Sequence, residues 1–366
     1  MPMGVYVHVP FCDGKCPYCD FYSLRADEET MNRYTARVAE EMEAFVRREN
    51  RAADTLYFGG GTPSLLGGKR LAQLIEKARE CFGLESAEIT AEANPTADLS
   101  KFFHEIRAAG ANRLSIGLQS ANEEELSLLG RRHTVRQAEK AVRDAQTAGF
   151  ANISLDLMLA VQKQTTESVQ NSIAFCADAG IQHISAYLLK VEPNTVYGRK
   201  KDSLLLPAED ATADLYLFAC EELEKRGFAQ YEISNFAKPG LQSRHNLKYW
   251  HCREYVGIGP AAHSFLGGKR FYHPRSLKDF LAGDPPVQDG AGGGFEEYAM
   301  LALRLTEGLT EEDCRARFGF AIPERILRAA KLYEKGGLTV CGESGFYFTP
   351  KGFLVSNMLT SEILFA

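Results

Sequence analysis

Val5-Tyr6-Val7-His8-Val9-Pro10-Phe11-Cys12-Asp13-Gly14-Lys15-Cys16-Pro17-Tyr18-Cys19 begins as an apolar strand and ends in three cysteines. Cys12, Cys16 and Cys19 fall on one short loop, one thiolate short of a closed tetrahedral site. Three thiolates on one loop suit a cubane iron–sulfur cluster with one iron left for an outside ligand. Two alternatives stay open from these residues alone. Cys16-Pro17-Tyr18-Cys19 has the spacing of a thioredoxin-like redox pair, and the trio fits zinc with a distant fourth ligand.

A second signal favours the cluster. Gly59-Gly60-Gly61-Thr62-Pro63 follows the next strand-like run. Without Cβ atoms, such a segment lets backbone amides and carbonyls approach a bound molecule, and beside a cysteine loop it reads as a pocket wall.

Working outward, strand and helix patterns alternate. Apolar, β-rich runs at 5–9, 55–58, 88–91, 113–117, 153–158 and 184–188 are separated by helical patterns at 28–48, 69–82, 99–109, 135–148, 166–179 and 208–225. Several of these helices stop before a glycine, as at Gly83, Gly110 and Gly149. Six βα units predict an α/β fold with parallel strands and right-handed crossovers, a partial (β/α)6 barrel short of the eight units that close one. Chemistry in such folds gathers at the C-terminal strand ends. Those ends carry the cysteines, the glycine run with Thr62, then Glu92, then Gln119-Ser120, while the fifth strand carries Asp156. Any one of them has a plain alternative as a helix cap or loop ligand.

With 366 residues, 45% apolar and 25% charged, the chain has ordinary globular composition. A net charge of −6 argues against nucleic acid as a partner. No apolar stretch reaches bilayer length, so no integral membrane segment is expected. The start reads as a strand and not as a secretory leader. Nine cysteines, six of them scattered, fit a reducing cytoplasm better than a disulfide framework.

The cysteine loop and the Gly-Gly-Gly-Thr-Pro loop together resemble the radical SAM proteins. The chain is similar, within them, to the oxygen-independent coproporphyrinogen III oxidase group, and there to its heme-chaperone branch. The resemblance rests on Tyr6 to Cys12, Cys16-Pro17-Tyr18-Cys19-Asp20-Phe21, Phe58 to Ser64, Glu92-Ala93-Asn94-Pro95, Arg113 to Ser120, Gly130 to Thr134, Tyr231 to Phe236 and His245-Asn246-Leu247-Lys248-Tyr249-Trp250. It implies a 4Fe-4S cluster on Cys12, Cys16 and Cys19, with S-adenosylmethionine on its free iron. It further implies Tyr6, Tyr18, Gly60, Gly61, Thr62, Glu92, Gln119, Arg131 and Asp156 as cofactor contacts. Arg131 is followed by Arg132, and only one of the two can point inward.

Two departures separate chaperone from oxidase. Asp20-Phe21 stands where the oxidases have a further cysteine soon after the third, and the first strand begins near Met1, without the oxidases' N-terminal arm. The expected function is to bind heme and hand it to an acceptor protein. The alternative is a radical enzyme that decarboxylates a porphyrinogen, and a zinc-stabilised interaction module is a third class. The resemblance gives His245 as the heme residue; its own chemistry equally allows a hydrogen-bonded structural histidine. His251 and Cys252 are further candidates, and His263 is read as structural. The family's Gly-Leu-Pro-Gly-Gln-Thr turn is replaced by Ala160-Val161-Gln162-Lys163-Gln164-Thr165, which changes the backbone angles open to it.

The expected domains are a core barrel at 1–232, a connecting segment carrying the His-Asn-x-x-Tyr-Trp motif at 233–290, and a winged-helix-like α+β tail at 291–366. Within the tail, 295–305 and 323–335 read as helices and 338–341 with 345–349 as a hairpin. The tail is expected to close the pocket or to meet a partner. A homodimer is a further expectation.

Overall fold

A computed structural model describes residues 2–365. The six expected strands are β1 (Met3–Val9), β2 (Ala53–Gly60), β3 (Glu88–Ala93), β4 (Arg113–Gln119), β5 (Ile153–Leu159) and β6 (His183–Leu188). Each pairs in parallel with the next. Helices cover their outer face, so these strands read as near-continuous apolar runs, and every residue of β4 is buried.

The helices follow from local signals. Asp27 caps Glu28–Arg48 by accepting from the Thr30 amide at 2.8 Å, with Glu28 and Glu29 in the first turn and Arg47 and Arg48 in the last. Tyr34, Val38, Met42 and Phe45 form its buried stripe. Thr134 and Gln137 form a capping box at the start of Val135–Thr147, and Gly83 ends Gly68–Phe82 at φ +62°.

The barrel stays open because β1 and β6 do not pair. Both edges are instead extended within one sheet by β7 (Ala229–Gln230), β8 (Asn235–Ala237), β9 (Tyr255–Ile258), β10 (His263–Leu266), β11 (Lys269–Tyr272) and β12 (Val287–Ala291). The sheet order is β12-β11-β10-β9-β1-β2-β3-β4-β5-β6-β8-β7. The segment 233–290 is therefore more than a connector. It supplies the strands that widen the barrel on the β1 side, and β9 lies parallel to β1.

The tail adds a small sheet of β13 (Leu309–Thr310), β14 (Thr339–Gly342) and β15 (Gly345–Phe348) in the order β13-β15-β14. Helices Phe295–Ala302, Glu311–Phe318 and Glu324–Glu334 stand with it in the element order of a winged helix, and Pro350–Leu354 and Ser356–Phe365 follow. The middle helix carries almost no amphipathic pattern and was not expected. Its signal is Thr310 capping the Asp313 amide at 3.1 Å, ahead of Glu311, Glu312 and Asp313 in the first turn. The tail docks on residues 231–233, where the Ile233 amide donates to Arg304 O at 2.9 Å.

Candidate functional site

The C-terminal ends of β1 to β6 and the β10–β11 hairpin enclose one cavity of about 960 Å³. Tyr6, Cys12, Cys16, Tyr18, Cys19, Gly60, Gly61, Thr62, Glu92, Gln119, Arg131 and Asp156 all line it. Twelve side chains or glycines, scattered over 150 positions of sequence, are thus brought to one surface.

The cysteine loop is fastened at several points. The Cys12 amide donates to Leu24 O at 3.0 Å, the Tyr197 amide donates to Pro17 O at 2.9 Å, and Arg132 pairs with Asp13. Arg275 donates to Asp20. The two adjacent arginines divide as steric argument requires: Arg132 points out to the loop and Arg131 points into the cavity.

The glycine run owes its composition to the same loop. Its Gly61 amide donates to Val9 O at 2.9 Å and the Thr62 amide to Phe11 O at 2.7 Å. A Cβ on Gly61 would lie 2.5 Å from the Phe11 carbonyl oxygen, and one on Gly60, at φ +113°, would lie 2.6 Å from the His8 ring. Beside the expected reason for these glycines, close approach to a ligand, stands a second: their Cβ positions are taken by the segment leading into Cys12.

A polar chain then crosses the rim. Arg131 Nη1 donates to Asn94 Oδ1 at 3.3 Å, Asn94 Nδ2 donates to Thr62 Oγ1 at 2.9 Å, and Thr62 Oγ1 donates to Cys12 Sγ at 3.7 Å. The Arg131 Nε is buried without a partner. Gln119 adopts φ +70°, a conformation a non-glycine residue holds only when its surroundings impose it. Here β4 breaks register with β5 between Ile116 and Gln119. At Gly117 a Cβ would approach Asn94 Oδ1 at 2.6 Å, Gln119 Nε2 at 2.8 Å and Arg131 Nη2 at 3.1 Å, so the glycine leaves a cradle among three polar groups.

Deeper down lie two carboxyls. Tyr57 donates to Glu92 Oε1 at 2.8 Å, and Ser115 to Asp156 Oδ1 at 3.0 Å. Burial pushes Glu92 up to about 7, against the Tyr57 hydrogen bond, and raises Asp156 as well. Between them Arg113, 2% exposed, keeps its Nε unpaired. Burial also raises the Cys19 thiol, so a metal must displace its proton.

Sequence reasoning passed over several wall residues: Tyr57, Arg113, Ser115, Ser185 and Tyr187. The signal was available for some. Arg113, Ser115, Gly117 and Gln119 alternate along β4, so one inward residue implies the others.

His245 departs from expectation. It is 1% exposed and does not reach the cavity wall. Its Nδ1 is hydrogen-bonded to Thr55 Oγ1 at 2.8 Å and its Nε2 to the Tyr249 hydroxyl at 2.7 Å, while its ring stacks on Tyr57 at 5.2 Å. Burial lowers its pKa to about 3, so the ring is neutral, with both nitrogens engaged. Asn246 and Tyr249 from the same helix, Arg244–Trp250, do line the cavity. The tail contributes nothing to the wall, which ends at Arg275, so the expectation that it closes the pocket is not met.

The site suits a cluster in its donor set. No group of three or more His, Cys, Asp or Glu residues among the described residues converges on a single metal ion. A cubane asks for something different: each thiolate binds its own iron, so three sulfurs spread around one end of a cavity fit it better than three aimed at one point.

Radical SAM proteins are the class that such a fold and rim define, and a model of the Radical SAM superfamily matches residues 6–176. The fold is also that of coproporphyrinogen III oxidase HemN from Escherichia coli, with a TM-score of 0.84 at 22% identity over 99% of this chain and 90% of that one. Heme chaperone HemW of Mycobacterium tuberculosis is 38% identical over 99% of this chain and 95% of its own. The HemW proteins of Bacillus subtilis and Escherichia coli are 32% and 34% identical, each over 99% of this chain. The chain belongs to the HemW family of radical SAM proteins.

Proposed function

We propose that the protein is a heme chaperone, which binds heme and transfers it to an acceptor protein while carrying a 4Fe-4S cluster with exchangeable S-adenosylmethionine. The observation that carries this reading is the convergence of the three cysteines and nine expected cofactor contacts on one cavity. Cys12, Cys16 and Cys19 hold the cluster. Arg131, with its spare buried Nε, faces the cofactor carboxylate. Glu92, already hydrogen-bonded by Tyr57, takes the ammonium, and Asp156, steadied by Ser115, takes a ribose hydroxyl. Tyr6, Tyr18, Gly60, Gly61, Thr62 and Gln119 form the remaining walls. When bound, the cluster and cofactor supply one-electron chemistry at this cavity.

None of the nine cysteines is paired in a disulfide, which supports a reducing cytoplasm as the working compartment. The cluster loop ends on Asp20, held by Arg275, and not on a further cysteine, which favours the chaperone over an oxidase. No helix among the described residues is long and apolar enough to cross a membrane.

The test is anaerobic reconstitution with iron, sulfide and hemin, with a porphyrinogen or an apo-hemoprotein offered in parallel samples, followed by assay of iron, zinc, sulfide, heme, porphyrin products and 5′-deoxyadenosine. Non-heme iron and sulfide in equal amounts with retained, transferable heme support the reading. A decarboxylated porphyrin product would move it to the oxidase, and zinc without sulfide would abolish it.

A further inference from the structure

We propose that Arg113 is the base of a carboxylate subsite at the deep end of the cavity, and that it takes one propionate arm of the bound heme. This rests on the heme reading above and adds to it the contact that sets the depth of the ligand.

Arg113 opens β4 and lines the cavity with Ser115, Gly117 and Gln119 of the same strand face. It stands roughly 20 Å of strand below Gln119 at the rim, by the usual rise of a parallel strand. Its side chain is 2% exposed, yet no hydrogen bond or ion pair joins the guanidinium to any described residue, and its Nε is sealed without a partner. A guanidinium taken out of water is costly unless an anion meets it.

No group of the free protein supplies that anion. Glu92 Oε1 accepts from Tyr57 at 2.8 Å and Asp156 Oδ1 from Ser115 at 3.0 Å, and neither carboxyl pairs with the arginine. Three arginines line the cavity. Arg131 donates to Asn94 and Arg275 to Asp20, so Arg113 is the one left unpartnered among them. Thr90 is its register partner on β3, on the strand face of Glu92, and its Oγ1 is also buried without a partner. A charged donor and a neutral one therefore stand side by side across one strand pair, and a carboxylate has two oxygens to meet them. Tyr57, Tyr187 and Tyr249 line the same cavity, aromatic surface for the planar macrocycle that carries the arm.

The experiment uses the cluster-reconstituted full chain as wild type, Arg113→Met and Arg113→Lys. Hemin and hemin dimethyl ester, which lacks the carboxylates, are titrated by the Soret band, and S-adenosylmethionine binding is measured by equilibrium dialysis. Thermal midpoints are read in sodium propionate against sodium chloride at equal ionic strength. The wild type should prefer hemin to its ester. Arg113→Met should weaken hemin about tenfold or more and leave the ester and S-adenosylmethionine unchanged. Propionate should raise the midpoint of the wild type and not that of the variant. If the methionine variant does not fold, Arg113→Lys decides by the same hemin-to-ester ratio, which should shrink. Equal affinity for hemin, or an equal loss for hemin and ester, overturns the subsite and leaves the chaperone reading standing. A loss confined to S-adenosylmethionine gives Arg113 to the cofactor carboxylate and also overturns it. If the wild type binds no hemin, the heme reading fails; propionate stabilisation that depends on Arg113 then keeps the carboxylate subsite, and its absence removes it.

Discussion

The hydroxyl of Tyr249 lies 2.7 Å from Nε2 of His245, and it is the tyrosine that forms the cavity wall while the imidazole stands behind it. One ring nitrogen holds Tyr249 and the other holds Thr55 on β2, so the histidine ties the helix Arg244–Trp250 to the barrel. Its first role is structural.

Replacing His245 with alanine should therefore act on stability. Thr55 and Tyr249 lose their partner inside the protein, and the stack on Tyr57 is lost with them. The expected loss is about 2–4 kcal/mol, measured by urea unfolding of the variant against the wild type. A variant within about 0.5 kcal/mol of wild type would contradict this role.

Gly117→Ala should empty the cofactor site without touching the cluster. Gly117 has no left-handed backbone to strain, so the added methyl acts through space alone, against Asn94, Gln119 and Arg131. S-adenosylmethionine affinity should fall about tenfold or more, roughly 1.4 kcal/mol, with iron and sulfide content unchanged. Equilibrium dialysis on the reconstituted protein reads both. Equal affinity would mean that these three groups do not face the cofactor.

Glu92 makes folding depend on pH with an unusual sign. Burial raises its pKa from 4.5 to about 7 in the folded chain. Between those values the unfolded chain releases the proton that the folded chain keeps, so the Glu92 contribution to stability is greatest at the acid end and declines as pH rises to about 7, opposite in sign to that of the buried neutral His245. Glu232, also pushed to about 7 by burial, acts in the same direction. Each contributes on the order of 3 kcal/mol across the window. Glu92→Gln should shift the pH dependence between pH 5 and 7.5 toward greater relative stability at the alkaline end, followed by unfolding midpoints against the wild type. An unchanged slope would place the Glu92 pKa near its ordinary value.

The turn after β5 keeps a conformation built for glycine. Ala160 sits at φ +59° and Lys163 at φ +62°, the two positions where the family pattern carries glycine. Left-handed backbone costs an L-residue about 1 kcal/mol, so Ala160→Gly and Lys163→Gly should each stabilise by about 0.5–1 kcal/mol. Lys163 also pairs with Glu124 at 2.6 Å, an exposed contact of small worth, so its gain should be the smaller. Thermal unfolding decides this. Lower midpoints for both variants would refute the strain.

Much of the barrel was legible because its signals are local. The alternation of apolar runs, the Asp27 and Thr134 caps, and the glycine at the end of Gly68–Phe82 each act within a few residues. The short edge strands β7 to β12 were not foreseen, since runs of two to five residues gain their stability from the neighbour they pair with, which lies far away in sequence. The helix Glu311–Phe318 escaped for a related reason: its apolar face is weak, and tertiary packing holds it.

At the site the division is sharper. Motif spacing was enough to single out Cys12, Cys16, Cys19, Glu92, Gln119 and Asp156, because strand ends in a parallel barrel must share one rim, whereas Arg131 came from the family resemblance alone. Which of two adjacent arginines turns inward, and which histidine is sealed and which is free, was beyond it. Those outcomes depend on who occupies the space around each side chain. His245 is closed off by Thr55 and Tyr249, and His263 is left open beside Tyr272, through contacts that bring together residues up to 190 positions apart.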